Sequence, residues 1–323
     1  MPAVNVLHVK LSGGYRIDIR FDAFIDELLP VLKQQEPCHL TFDIEGLVAI
    51  SPTCLALLTA VLKEATDRGI FWEGNGGNVK IVSRGGPVWN YLMRMDVFKL
   101  LLGAENYAEI NEGFTRNKPV GFRPCQEFTT LDEFPPVSRS LVAALGEACE
   151  MDELALGSVR TCLDELSENV IHHADATHGG FAAAQGWRKS STFEIGIVDL
   201  GIGIRSSLRK NAAYADIPND ATAITTALQP RVTSTPERNS GIGLFVTRLL
   251  LRENGGFFMV RSGNGAVYAG SEERTGEART AFPGTIVALR ARTDRPLNMK
   301  RVYGTLTRIE HELDARKHDD SSS

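Results

Sequence analysis

A carboxylate, an amide and an imidazole recur every four residues in the run Glu165-Leu166-Ser167-Glu168-Asn169-Val170-Ile171-His172-His173-Ala174. On a helix, Glu165, Asn169 and His173 share one face. A carboxylate beside an amide oxygen can serve an attacking group together with a hydrated magnesium ion, which takes oxygen ligands and keeps several waters. The same spacing describes a solvated helix face, so the run decides nothing alone. A second piece, Asp199-Leu200-Gly201-Ile202-Gly203-Ile204, follows a strand-like stretch at 193–198. An Asp at a strand end can accept a hydrogen bond from the amino group of adenine, and glycines beyond it let backbone approach a flat base. A plain Asp-Gly turn reads equally well. The third piece, Asn239-Ser240-Gly241-Ile242-Gly243-Leu244, opens a helical pattern that runs to residue 254. Backbone N–H groups at a helix start favour phosphate oxygens, and glycine permits close contact. The fourth, Gly284-Thr285, opens a last strand and offers a hydroxyl for an adenine contact.

The elements that must position these pieces alternate strand and helix patterns, which indicates an α/β layer structure. Strands are expected at 4–11, 15–21, 39–44 and 79–82, with helices at 24–34, 53–67 and 88–102. The second of these helices stops at Gly69, a C-cap signal. Residues 103–135 lose periodicity and read as a linker with a strand inside. Helices then follow at 137–150 and 152–174, and strands at 180–187 and 192–198. Residues 205–239 carry little apolar pattern, and a loop of that length is usually functional or mobile. A helix at 243–254, strands at 257–262 and 284–292, and a charged tail complete the chain, with residues 319–323 expected to be disordered. No internal repeat is evident.

The bulk properties bound the function. The chain has 323 residues, 43% hydrophobic and 23% charged, enough for two ordinary domains with buried cores. Net charge is −5 without a long basic run, which argues against nucleic acid as a main partner. No apolar stretch approaches membrane-spanning length, and the first six residues lack the pattern of a secretory leader. Cys38, Cys54, Cys125, Cys149 and Cys162 are scattered, which suggests free thiols in a reducing cytoplasm rather than a disulfide framework or zinc site. His172, His173 and His178 have no acidic or Cys partner at a metal-like spacing.

In order and spacing, the four pieces resemble the N, G1 and G2 boxes and the terminal Gly-Thr of the GHKL (histidine-kinase-like) ATPase superfamily. The resemblance spans residues from about 150 to 291 and implies an α/β sandwich, a mixed sheet covered by helices, that binds ATP and Mg2+. By matching position it makes Glu165 the general base and Asn169 the magnesium ligand. Asp199 becomes the adenine-reading acid with Gly201 and Gly203 beside it. Gly241 and Gly243 form the phosphate-side loop, and Thr285 the adenine-side hydroxyl. Residues 205–239 become a lid over the triphosphate, and Arg238 is within reach of a phosphate or simply solvated.

Branches with a transducer domain fit poorly, since only about thirty residues follow Arg292. An ordinary sensor histidine kinase needs a phosphoacceptor His upstream, and no His lies between His39 and His172. The helix pair leading to Asn169 instead looks like the anti-sigma-factor serine kinase branch, which phosphorylates Ser or Thr on a small STAS-domain protein. Such transfer rests mainly on positioning and charge neutralisation. The first hundred residues themselves resemble a STAS domain. Where STAS antagonists carry Asp-Ser-Ser-Gly, this chain has Ser51-Pro52-Thr53-Cys54, so Thr53 aligns with the phosphoacceptor while the Asp is absent. Ser51 as N-cap and Pro52 in a first helical turn account for the same run without any phosphorylation. The expected organisation is a STAS-like domain at 1–102, a linker at 103–135, a GHKL ATP-binding domain at 136–292 and a charged tail at 293–323. The expected function is that of a cytoplasmic regulator: a Ser/Thr kinase or nucleotide-dependent switch acting on a sigma-factor-like or STAS-type protein. A non-kinase ATPase or nucleotide-gated interaction module is the alternative. Monomer and homodimer both remain open.

Overall fold

The computed structural model describes residues 5–70, 79–82, 86–99, 102, 107–108, 121, 123–237 and 240–321, with side chains described as far as residue 312. Trp72, Arg238, Asn239 and most of the expected linker lie outside the described residues. The architecture is mixed α/β.

The N-terminal unit has a parallel sheet of β1 (Val6–Lys10), β3 (His39–Asp43) and β5 (Val79–Val82) in the order β1-β3-β5. A two-stranded parallel pair joins β2 (Gly13–Tyr15) to β4 (Leu47–Ile50), an element the sequence pattern did not reveal. The strand expected at 15–21 is cut short. Arg16 and Ile19 bridge a tight bend, Arg20 takes a left-handed φ of 56°, and helix α1 (Phe21–Lys33) starts at once. The helix expected at 88–102 also breaks: α3 (Pro87–Arg94) ends before Asp96, whose φ of 58° turns the chain.

Helix α2 (Pro52–Asp67) is buried on nearly every side from Pro52 to Leu62. It packs beside α1 and against the five-stranded sheet of the C-terminal half, so one hydrophobic core runs through both. That sheet contains β6 (Gln126–Phe128), β7 (Gly180–Trp187), β8 (Thr192–Asp199), β9 (Phe257–Ala269) and β10 (Glu273–Arg292) in the order β6-β7-β8-β10-β9. Every pairing in it is antiparallel, which corrects the expected mixed sheet.

Alternation along the strands assigns each face. Phe181, Ala183, Val198, Met259, Ile286 and Ala288 join the core around α2. Ala182, Ala184, Ile195, Ile197, Val260 and Leu289 join a second core under α4 (Phe134–Cys149), α5 (Glu153–His173) and α8 (Gly243–Asn254). Both faces of the sheet are therefore covered.

Helix α4 begins inside the expected linker, because Pro135 and Pro136 fall in a first turn whose N–H groups need no partner. Asp152 caps α5 by accepting from Ala155 N at 2.7 Å. The stretch expected to be a loop is largely helical, with α6 (Gly203–Leu208) and α7 (Asp220–Ala227) around a small cluster of Leu208, Ile217, Ala223 and Ala227. The expected tail is α9 (Met299–Ser321), and Leu297, Met299, Val302 and Leu306 lie in the second core. Among the described residues no helix is long and apolar enough to cross a membrane.

Candidate functional site

The four sequence pieces meet on the second-core face of the sheet. A cleft there holds about 760 Å³ of space, open solvent at its mouth included, and Asn169, Asp199, Gly203, Gly241, Gly243 and Thr285 all line it. Helix α5 forms one wall, the end of β8 and the middle of β10 the floor, and the start of α8 another wall. Val232, Thr233 and Ser234 come in from the segment expected as a lid.

Asp199 ends β8 opposite Thr285, its antiparallel partner on β10. It is 3% exposed, and its Oδ1 accepts from Gly201 N at 2.9 Å and Thr285 N at 3.2 Å. Burial pushes its carboxyl up to about 7, against the opposing pull of these hydrogen bonds. The Thr285 hydroxyl also bonds this carboxylate, and of its roughly four acceptor sites one remains for a partner in the cleft.

Gly201 sits where a Cβ would lie 1.9 Å from the carbonyl oxygen of Ala174, just past the end of α5. The adjacent Ile202 N donates to that same oxygen at 2.7 Å. This glycine thus locks the turn after Asp199 onto the helix that carries Asn169. Gly241, at a φ of 67°, packs directly on the backbone of Val232 and so joins the start of α8 to the lid segment. Among the described residues no side chain caps α8, whose start borders the cleft.

Glu165 lies outside the residues that line the cleft, but it adjoins them. A Cβ on Gly243 would fall 2.7 Å from Glu165 Oε2 and 3.4 Å from Asn169 Nδ2. Burial raises the Glu165 carboxyl above its ordinary range, and the negative charge of Glu168 adds to that. The Asn169 amide makes no hydrogen bond to a described residue. No Lys or Arg is among the described residues that line the cleft.

Sequence reasoning missed several participants. His173, given no role although it shares the helix face of Glu165 and Asn169, lines the cleft and meets Ser234 Oγ through Nδ1 at 3.0 Å. Burial lowers its imidazole below the usual range, and His172 and Lys210 add to this. Ser262 is 2% exposed; it donates to Gly284 O at 2.8 Å and accepts from Ile204 N at 2.9 Å, tying two boxes together. A lone Ser inside a strand gives no spacing signal.

Thr53 stands apart from the cleft. It is fully buried where α2 meets β8, on the far face of the sheet, since Glu194, Gly196 and Val198 alternate with Ile195, Ile197 and Asp199. A Cβ on Gly196 would lie 2.4 Å from Thr53 Cα, so the helix presses directly on the strand. Thr53 N and Oγ1 both donate to Glu194 Oε1, at 3.2 and 2.8 Å. Arg290 Nη2 donates to Glu194 Oε2 at 2.9 Å, and its Nη1 to Asp18 Oδ2 at 3.0 Å. Burial pushes the Asp18 carboxyl up, but Arg16 and Arg290 outweigh it and hold it at about 2.

His178 lies within 4.0 Å of Glu64, Asp67 and Glu127, a cluster joining α2 to β6. No group of His, Cys, Asp and Glu suited to hold a metal occurs among the described residues. Searches against protein-family models and curated proteins find no match to this chain.

Proposed function

We propose that the cleft binds ATP with Mg2+ and that the protein is a cytoplasmic, nucleotide-dependent regulator related to the GHKL ATPases, with a STAS-like unit built onto the back of its sheet. The observation that carries this reading is the convergence on one cleft of Asn169, Asp199, Gly241, Gly243 and Thr285, which are dispersed over more than a hundred residues of sequence.

The residues fit the group. The remaining acceptor site of Asp199 would take the adenine amino group, with the Thr285 hydroxyl on the same carboxylate. The open start of α8 and its glycines receive phosphate oxygens. Asn169 supplies an amide oxygen toward the metal. When bound, magnesium neutralises phosphate charge, a role of particular weight where no Lys or Arg lines the cleft. Glu165, raised in basicity and set beside Gly243 and Asn169, takes a proton from the attacking water or hydroxyl.

Thr53 does not serve as a phosphoacceptor in this arrangement, because a β-sheet stands between its hydroxyl and the cleft. Phosphoryl transfer accordingly goes to a Ser or Thr of a separate protein, a STAS-type or sigma-factor-like regulator. Hydrolysis coupled to a change of binding surface is the second reading, and Glu165 supports either. Calorimetry with ATP and magnesium tests the first claim: saturable binding that is lost in Asp199→Asn supports it, and absence of binding by the intact protein refutes it. Labelled ATP then separates the two uses, through label on a partner protein or release as free phosphate.

A further inference from the structure

The C-terminal helix α9 touches the candidate site at two points. Near its start, Tyr303 Oη donates to Glu165 Oε1 at 3.5 Å, at the long end of hydrogen bonding. Two turns on, Glu310 accepts from Arg231 Nε at 2.7 Å, and Arg231 directly precedes the lid residues that line the cleft. The helix is held in place independently of both contacts. Val302 and Leu306 lie in the second core, and Ser158 Oγ accepts from Met299 N at 3.0 Å.

We propose that Tyr303 is a positioning residue for Glu165, so that α9 completes the site rather than trailing from it. This rests on the reading of Glu165 as the base. Packing alone explains the ring, but it does not require the hydroxyl, since a Phe would fill the same half-buried space. Among the described residues no other side chain donates to Glu165, while the carboxylates of Asp164 and Glu168 repel its charge. An O–H donor favours the ionised form and fixes the rotamer. Without it, burial and two like charges would turn the carboxyl toward its neutral form or away from the cleft. The influence is mutual: burial first, and then the charge of Glu165, raise the Tyr303 phenol.

Tyr303→Phe keeps the ring and deletes the donor. Carbon-detected NMR titration of Glu165 should show its carboxyl titrating at higher pH in this variant than in the wild type, in the full-length protein. ATP turnover should fall about tenfold in kcat with KM unchanged, and the acid limb of its pH profile should move upward. In a Glu165→Gln background the same change should cost nothing further. A reciprocal measurement guards against misfolding of the Tyr variant: Glu165→Gln should lower the pH at which the Tyr303 phenol ionises, read by ultraviolet absorbance. An unchanged Glu165 titration in Tyr303→Phe, or an unchanged phenol titration in Glu165→Gln, overturns the proposal. Absence of ATP binding in the wild type sinks the nucleotide reading instead, and the titrations still decide whether the hydroxyl acts on Glu165.

Discussion

Two carboxylates on β8, Glu194 and Asp199, are both buried, yet they face opposite sides of the same sheet. Glu194 is saturated: Thr53 gives it two donors on one oxygen, and Arg290 gives a third on the other. Asp199 receives two backbone donors and the Thr285 hydroxyl, but no cation. The first arrangement satisfies a buried charge and binds two parts of the chain together. The second leaves acceptor capacity directed at a cleft and a carboxyl pushed up to about 7. A buried acid paired with a cation serves the fold, and one without a cation beside a cleft is a candidate for ligand binding.

Breaking the saturated side should have the largest effect. Glu194→Ala strands the two Thr53 donors and takes from Arg290 one of its two carboxylate partners, and the loss should be about 3–5 kcal/mol of stability in denaturant unfolding. Next comes Asp199→Asn. It should weaken ATP binding by about 10- to 150-fold in calorimetry, the range for hydrogen bonds to a charged group. Unlike Glu194→Ala, it should leave the protein folded. Smaller again, Thr53→Val removes one neutral donor to Glu194 and should cost about 1–3 kcal/mol in thermal unfolding, with ATP affinity unchanged. Equal loss of ATP affinity in Thr53→Val and Asp199→Asn would erase the distinction between the faces.

The last prediction sharpens the comparison through pH. The folded state holds the Asp199 proton more tightly than the unfolded chain, so its contribution to stability is full below the ordinary value of 3.8 and is lost as pH rises through about 7. In the ligand-free protein, the stability difference between the wild type and Asp199→Asn should therefore shift against the wild type between pH 5 and pH 8. A flat difference would mean that Asp199 is well solvated or has a cationic partner.

The cleft was more legible in the sequence than its surroundings. Glu165, Asn169 and His173 follow helical spacing, while Asp199 and Thr285 were located by the order and spacing of the four pieces together, and Thr285 lies within β10 rather than at its start. The lid was read as loop because its helices are short and rely on Ala221, Ala223 and Ala227, whose small side chains give a weak apolar pattern. The C-terminal helix was hidden for a different reason. Its buried residues Val302 and Leu306 are outnumbered by charges that face solvent. Helix α2 did carry a signal that went unread: apolar side chains all round its surface from Cys54 to Leu62 imply cover on every side, not only from its own sheet. Tyr303, Ser262 and Glu194 belong to no spacing pattern, and only the tertiary contacts identify them.

The pressing of Thr53 against Gly196 also bears on how the chain acquires its shape. Beside this contact Thr53 bonds Glu194, 141 positions away in sequence, and these hydrogen bonds close that whole interval. During synthesis α2 emerges long before β7 and β8 exist to cover it, with an apolar flank exposed in the meantime. Contacts of such separation slow the search for the native state. The two halves should consequently reach their final form in one late, concerted event, and the nascent N-terminal half should be a natural client for a chaperone until the sheet arrives.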